Sequence, residues 1–249
     1  MTREVHEVPE EHVESDKARR SRGVKLFIRD ILFIVLAALL ISFLIKTFLI
    51  RTFYIPSESM EDTLIRNDRI IVNQLTPDLM PISRGDVVVF KDPGGWLDPV
   101  YEEPQNPVVA VFDTILSFVG LTAPDSNDHL IKRVIGLPGD HVVCCDELGQ
   151  LTVNGVALDE PYIKIPDGAA KSTREDFDIV VPDDSLWVMG DNRYFSADSA
   201  FHHLNEPGHE YVPYDDVVGR AILISWPVDR WTWLDNFPLV FRGVEDGTE

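Results

Sequence analysis

An uncharged apolar run from Ile31 to Ile45 constrains this chain more than any other feature. The run extends to Ile50 if the Lys46 side chain reaches back toward a polar surface. About 20 helical residues, rising ~1.5 Å each, cross a hydrocarbon core of roughly 30 Å. The sequence therefore predicts a single membrane-spanning helix, with residues 26–50 as the anchor.

Basic residues immediately precede this run, with five Lys and Arg between Lys17 and Lys25. By the positive-inside rule they place the N-terminus in the cytoplasm and the chain after Arg51 outside. Residues 1–25 lack apolar periodicity and are predicted to form a disordered cytoplasmic tail. The alternative is a cleaved leader, which is disfavoured because no small-x-small cleavage site follows the run.

The outer part of the chain has the pattern of a mainly β domain. From Arg69 onward, short runs rich in Val and Ile alternate with Gly, Pro, Asp and Asn turns. This pattern is typical of a sandwich or a closed sheet. Asn154 and Gly155 predict a two-residue hairpin turn, because both residues tolerate positive φ.

Two segments interrupt this pattern. The first is an insertion over 93–128, and its apolar stretch Val108 to Leu121 predicts a short helix. The second is polar and rich in Pro and Gly, and it belongs to a region predicted to form a small cap over 141–178.

Charge and cysteine content exclude several function classes. The net charge of −20 argues against nucleic acid as a partner, because phosphate binding requires clustered Lys and Arg. The only cysteines, Cys144 and Cys145, are adjacent, which excludes a zinc site built on separated pairs. Buried free thiols are favoured over a vicinal disulfide.

The motif PSESM carries two candidate nucleophiles close to the anchor. Pro56 restricts the backbone, and alternation in an extended chain turns Ser57 and Ser59 to the same side. One hydroxyl can then attack while the other stabilises a developing negative charge. The alternative is a turn in which both serines bond only to local backbone.

A serine nucleophile needs a base to accept its proton. Lys132 lies in a Val- and Ile-rich strand, where burial can lower an amine pKa by up to about 3 to 5 units. The neighbouring Arg133 cannot act as a base, because arginine keeps its proton. The histidines remain as alternatives: His129, His141, His202, His203 and His209.

Four motifs in this order resemble the bacterial type I signal peptidases. They are PSESM, RGDVVVF (Arg84 to Phe90), IKRVIGLPGD (Ile131 to Asp140) and GDNRYFSADS (Gly190 to Ser199). The resemblance implies a mainly β, signal-peptidase-like catalytic domain in two parts, 51–140 and 179–249, with a small β cap between them and one transmembrane helix before them.

The resemblance also implies roles for individual residues. Ser59 matches the nucleophile and Lys132 the general base. Ser57 matches the oxyanion donor, Ser196 the serine that orients the lysine amine, and Asp198 the acidic residue supporting that loop.

This chain departs from the family pattern at two positions. Ala200 stands where a basic partner of Asp198 is usual, which leaves the partner of Asp198 open, with Arg193 as one candidate. Glu58 replaces a glycine between the two serines, and its side chain is expected to point to solvent.

Secretory preproteins with small residues at the first and third positions before the cut are the implied substrates. The implied location is the cytoplasmic membrane of a bacterium, with the catalytic domain in contact with the lipid bilayer on its outer face. No cofactor and no metal are expected. Two alternatives remain open: a histidine-dependent enzyme, and an inactive relative that only binds peptides.

Overall fold

The chain divides into two units, Met1–Phe48 and Leu49–Glu249. A computed structural model describes residues 11–97 and 128–244. The helix predicted over Val108 to Leu121 lies outside the described residues, and so does the beginning of the predicted tail.

The first unit consists of helix α1, Glu11–Phe48. Its segment Lys25–Lys46 is long and apolar enough to cross a membrane, by length and composition. The described part of the tail differs from the prediction of disorder, because α1 already begins at Glu11. Nucleation is the costly step of helix formation, so a helix formed in the apolar run extends readily through Glu, Lys, Arg and Ala.

The end of the helix also differs from the predicted anchor of 26–50. Helix α1 ends at Phe48, and the first strand of the second unit begins at Ile50. The residues from Ile50 to Tyr54 pair with Asn73 to Arg69, and this pairing draws Ile50 into a sheet rather than into the helix.

The second unit is built on two antiparallel sheets, and its strands are short, as the sequence predicts. In chain order they are β1 (Ile50–Tyr54), β2 (Arg69–Asn73), β3 (Val87–Lys91), β4 (His129–Gly136), β5 (His141–Cys144), β6 (Leu151–Val153), β7 (Val156–Ala157), β8 (Phe177–Val180), β9 (Ser185–Met189), β10 (Val212–Pro213), β11 (Val217–Trp226) and β12 (Thr232–Trp233). A short helix, α2 (Ser199–Asn205), follows β9. The predicted mainly β fold with one N-terminal apolar helix is confirmed.

In the larger sheet the described strands follow the order β1-β2-β11-β3-β4-β9-β10, and β12 pairs with β11. Apolar clusters cover both faces. Val87 and Val89 of β3 join one cluster, while Val88 and Phe90 join the other. The strand is therefore buried on both sides, which explains its continuous apolar sequence.

The smaller sheet has the order β7-β6-β5-β8 among the described strands, and it lies in the stretch where the sequence predicts a cap. The chain forms it between β4 and β9, which are neighbours in the larger sheet. The predicted hairpin turn is confirmed: Asn154 and Gly155 have φ of 49° and 78°, and β6 pairs with β7 across them.

The prediction of free thiols is wrong. Cys144 and Cys145 form a disulfide at the end of β5. Cys144 packs in the core cluster shared by the smaller sheet and Trp187 of β9.

Candidate active site

Two elements bring Ser59 and Lys132 together. Ser59 lies in a turn after β1. Met60 and Leu64 of this turn are fully buried, and the Leu64 N–H donates to the Met60 carbonyl. Lys132 lies in β4, opposite Val88 of β3. Its Nζ donates a hydrogen bond of 2.7 Å to Ser59 Oγ, and both side chains are buried.

The environment of Lys132 favours the neutral amine. Burial lowers the pKa of Lys132 from 10.5 to about 8, although the carboxylates of Asp198 and Asp191 oppose this effect. An ammonium ion loses its hydration when it is buried, which is why the neutral form gains. With this pKa about one amine in ten is neutral at pH 7, against about one in three thousand for a free lysine.

Ser57 lies beside the Ser59 hydroxyl, as the alternation of the extended segment predicts. The two Oγ atoms are 3.3 Å apart. Glu58 between them is exposed and forms an ion pair of 3.3 Å with Arg66, so its side chain points to solvent as expected. The arrangement leaves Ser57 free to donate to an oxygen near Ser59.

The loop from Gly190 to Asp198 lies against Ser59 and Lys132. Asp198 caps α2 by accepting from the backbone of Ala200 and Phe201, and it also accepts from Gly190 N–H at 2.9 Å. Burial raises the pKa of the Asp198 carboxyl.

Ser196 has the position on this loop that the sequence predicts, but its bond to Lys132 is not formed here. Ser196 Oγ is buried and makes no hydrogen bond to Lys132 among the described residues, whereas its interaction with the Asp198 carboxylate opposes the rise in the pKa of Asp198 that burial causes. A Cβ at Gly190 would collide with this oxygen and with the Ser59 carbonyl oxygen, so the close approach requires glycine. The orienting role of Ser196 stays a prediction.

Arg193, the candidate partner of Asp198, forms its ion pair elsewhere. Arg193 instead donates to both carboxylate oxygens of Glu160, at 2.8 and 2.5 Å, and both side chains are fully buried. Bidentate geometry makes this the stronger partner. Asp198 is held by backbone N–H groups, which explains how Ala200 can replace the usual basic residue.

A second buried ion pair behind the dyad was not predicted. Arg133 donates to both oxygens of Asp191, at 2.8 and 2.7 Å, and Thr63 donates to Asp191 at 2.5 Å. Next to this pair, the Asn192 N–H donates to the Ser59 carbonyl at 3.0 Å. The network therefore connects the loop to the turn that carries Ser59. The sequence feature that could have indicated this ion pair is a charged residue, Arg133, in an otherwise apolar strand.

A cleft of about 400 Å³ opens in front of the dyad. Residues 53–59 and residues 129–132 line the cleft side by side and run in the same direction. The rings of Phe53 and His129 lie 5.2 Å apart at one end, and Ser59 meets Lys132 at the other. Its apolar walls include Ile55, Ile70, Val89, Trp96 and Ile131.

Four of the described histidine rings contact acidic side chains. Within residues 11–97 and 128–244, no histidine hydrogen-bonds to Ser59; the His129 ring contacts Asp128 at 3.2 Å and the His202 ring contacts Glu206 at 3.1 Å. The same ranges contain no group of three or more His, Cys, Asp and Glu placed to hold a metal ion.

A family model described as signal peptidase, peptidase S26, matches residues 28–226. The chain belongs to this family. The predicted family is thereby confirmed, together with the enzyme class, a serine peptidase. Every residue that the sequence predicts for the site lies within the matched range.

Curated relatives support the same assignment. The chain is 39% identical over 201 residues to a probable signal peptidase I of Mycobacterium leprae, covering 71% of this chain and 68% of the relative. It is 41% identical over 194 residues to signal peptidase I of Mycobacterium tuberculosis, covering 71% of this chain but 65% of the relative. The chain thus spans about two thirds of these mycobacterial relatives.

One relative matches over more of its length. Probable signal peptidase I-1 of Synechocystis is 30% identical over 214 residues, covering 86% of this chain and 90% of the relative. Among solved structures, a signal peptidase I of Enterococcus faecalis is 23% identical with a TM-score of 0.36, covering 56% of this chain and 95% of that one.

Proposed function

We propose that the chain is a membrane-anchored serine endopeptidase that removes signal peptides from exported preproteins with a Ser59–Lys132 dyad. The observation that carries the proposal is the 2.7 Å hydrogen bond between a buried lysine amine and a serine hydroxyl. A lowered pKa and a contact with the nucleophile are the two properties that a general base requires.

In the proposed reaction, neutral Lys132 accepts the Ser59 proton while Oγ attacks the carbonyl carbon of the scissile bond. The developing oxyanion accepts hydrogen bonds from the Ser57 hydroxyl and from the Ser59 backbone N–H, which donates to no other group in the described residues. Lys132 then transfers the proton to the leaving amine, and an ester to Ser59 remains.

The second half of the reaction repeats these steps with water. Lys132 removes a proton from the water that attacks the ester, and the proton returns to Ser59 Oγ as the product acid leaves. The negative charge of Asp198, which raises the pKa of Lys132, stabilises the ammonium form that Lys132 takes after it accepts each proton. Ser196, on the same loop, has the proposed role of orienting the amine.

The cleft fits an extended peptide between its two lining segments. Residues His129 to Lys132 pair with β3 on one side, whereas β9 pairs with β4 only from Arg133 onward. Among the described strands, the other backbone edge of His129 to Lys132 is therefore unpaired, and a substrate strand can add there. Shallow pockets for alternate side chains of such a strand would select small residues at the first and third positions before the cut.

The anchor explains why the site lies so early in the chain. Ser59 follows the end of α1 by few residues, and an extended chain from Arg51 reaches at most about 30 Å. A preprotein whose own apolar segment is in the bilayer presents its cleavage site near the surface. The basic residues before α1 place the N-terminus in the cytoplasm and the catalytic domain at the outer face of the bacterial cytoplasmic membrane.

The experiment is cleavage of a synthetic precursor peptide containing Ala-x-Ala by the full chain in detergent. We expect cleavage by the wild type, and equally severe losses for Ser59→Ala and Lys132→Ala, because the two groups act as one unit. Lys91→Ala is the matched control, since Lys91 is exposed at the end of the neighbouring strand β3.

Two results would contradict the proposal. Cleavage that survives Lys132→Ala but is lost in His129→Ala would identify a histidine base. A wild type that binds the peptide without cutting it would identify an inactive relative.

A further inference from the structure

Phe195 is exposed on a loop that is otherwise mostly buried. Its side chain is 73% exposed, whereas Arg193 and Ser196 on the same loop are 1% and 5% exposed. Phe195 also lines the catalytic cleft, together with Ala197. A single exposed apolar residue is ordinary on a protein surface, but one at the rim of a catalytic cleft is placed to touch a substrate.

Hydrogen bonds fix the backbone of Phe195 relative to the nucleophile. Phe195 N–H donates to the Asn192 carbonyl at 3.0 Å, and Asn192 N–H donates to the Ser59 carbonyl at 3.0 Å. Arg193 N–H donates to the Lys164 carbonyl at 3.1 Å, which fixes the same turn from its other side. A rigidly supported aromatic ring loses little conformational entropy when a ligand covers it.

The sheet register places Phe195 at a defined end of the cleft. Lys91 pairs with His129, so the chain after β3 leaves the sheet at the His129 end and brings Trp96 to the cleft there. Lys132 lies three strand residues away, roughly 10 Å along β4. Phe195 lies at the Lys132 end of the cleft, because Asn192 on the same loop donates a hydrogen bond to the Ser59 carbonyl.

We propose that Phe195 packs against an apolar side chain in one of the first two substrate residues after the cut. This inference rests on the proposed function. The residues before the cut fill the cleft between Phe53 and Ser59 on one side and His129 and Lys132 on the other. The chain that follows the scissile bond then leaves past the dyad, where Phe195 lies.

The expected consequence is a preference on the leaving side of the cut. Covering part of the Phe195 ring and an aliphatic side chain should raise kcat/KM by about tenfold over a substrate with glycine at both positions. Phe195 acts here as a specificity-determining residue and takes no part in the proton transfers of the dyad.

The test compares two soluble precursor peptides that differ only in the first two residues after the cut, Leu-Leu or Gly-Gly. For the full-length wild type in detergent we expect a kcat/KM ratio of about ten. Phe195→Ala should lower the ratio to about one by slowing only the Leu-Leu peptide, and Phe195→Leu should retain most of the preference. Leu148→Ala is the control, because Leu148 is 80% exposed and does not line the cleft.

The inference is wrong if the wild type shows no preference, or if Phe195→Ala keeps the wild-type ratio. It is also wrong if Phe195→Ala changes selectivity only for residues before the cut, or slows cleavage only of vesicle-bound precursors, which would indicate a lipid contact. Cleavage of both peptides by the wild type and of neither by Ser59→Ala separates these outcomes from failure of the proposed function.

Discussion

Replacing Lys132 by methionine should stabilise the fold at neutral pH while it abolishes cleavage. The reason is the buried amine: its pKa in the folded state is about 8, against 10.5 in water. Each unit of pKa corresponds to about 1.4 kcal/mol, so the folded site disfavours the ammonium form by about 3 kcal/mol. Methionine has a similar length and carries no charge, so it avoids this desolvation.

The pH dependence gives the sharper measurement. Between pH 8 and 10.5 the folded state has released the Lys132 proton and the unfolded state still holds it. Because the unfolded state binds more protons, the free energy of unfolding of the wild type rises with pH in this window. It should gain about 3 kcal/mol relative to Lys132→Met and then level off, whereas below pH 8 the difference between the two proteins should be constant.

The assay is urea unfolding of the full chains in detergent, followed by tryptophan fluorescence at a series of pH values that begins about two units below 8 and ends about one unit above 10.5. Lys91→Met is the matched control, because this lysine is exposed and its loss should leave the pH profile parallel to that of the wild type. Parallel profiles for the wild type and Lys132→Met would show that burial does not destabilise the ammonium form, and the argument for a lysine base would lose its physical support.

Three further predictions follow from the site. Ser57→Ala should lower kcat by about 10² to 10³ with little change in KM, measured by steady-state peptide cleavage, because the hydroxyl serves the transition state; an unchanged kcat would remove Ser57 from the oxyanion site. The pKa of Lys132 near 8 predicts that kcat/KM rises about tenfold per pH unit below pH 8 and then levels off; a midpoint near 6.5 would indicate histidine. Gly190→Ala should reduce both activity and the urea midpoint, since the new Cβ collides with Ser196 and Ser59, whereas Gly155→Ala should cost only about 1 kcal/mol of unfolding free energy for its positive φ.

The features predicted correctly from sequence are local in origin. The apolar run marks α1, and the Asn154-Gly155 turn follows from φ preferences within two residues. Ser59 and Lys132 are far apart in sequence; side-chain chemistry makes each a candidate, and the resemblance of whole motifs is what assigns them to one pair. The structure places their side chains 2.7 Å apart.

The features that were not predicted correctly depended on partners that the sequence pattern does not specify. Arg193 bonds to Glu160, a residue in a different segment, and only the folded position of that segment decides the pairing. The partner of Arg133 was likewise not predicted, because Asp191 comes from the loop after β9. Local composition also gave no way to choose between thiols and a disulfide for adjacent cysteines.

The chain leaves the larger sheet after β4, forms the smaller sheet, and returns to the larger sheet at β9, the neighbour of β4. Ser59 and Lys132 lie on the larger sheet and its loops. A domain inserted at the tip of the β6–β7 hairpin should therefore leave the distance between these two side chains unchanged. Gly155 at that tip is exposed and has no neighbouring atoms where a side chain would project. A reporter domain grafted there, rather than at either terminus, offers a way to follow the peptidase in vesicles without disturbing its anchor.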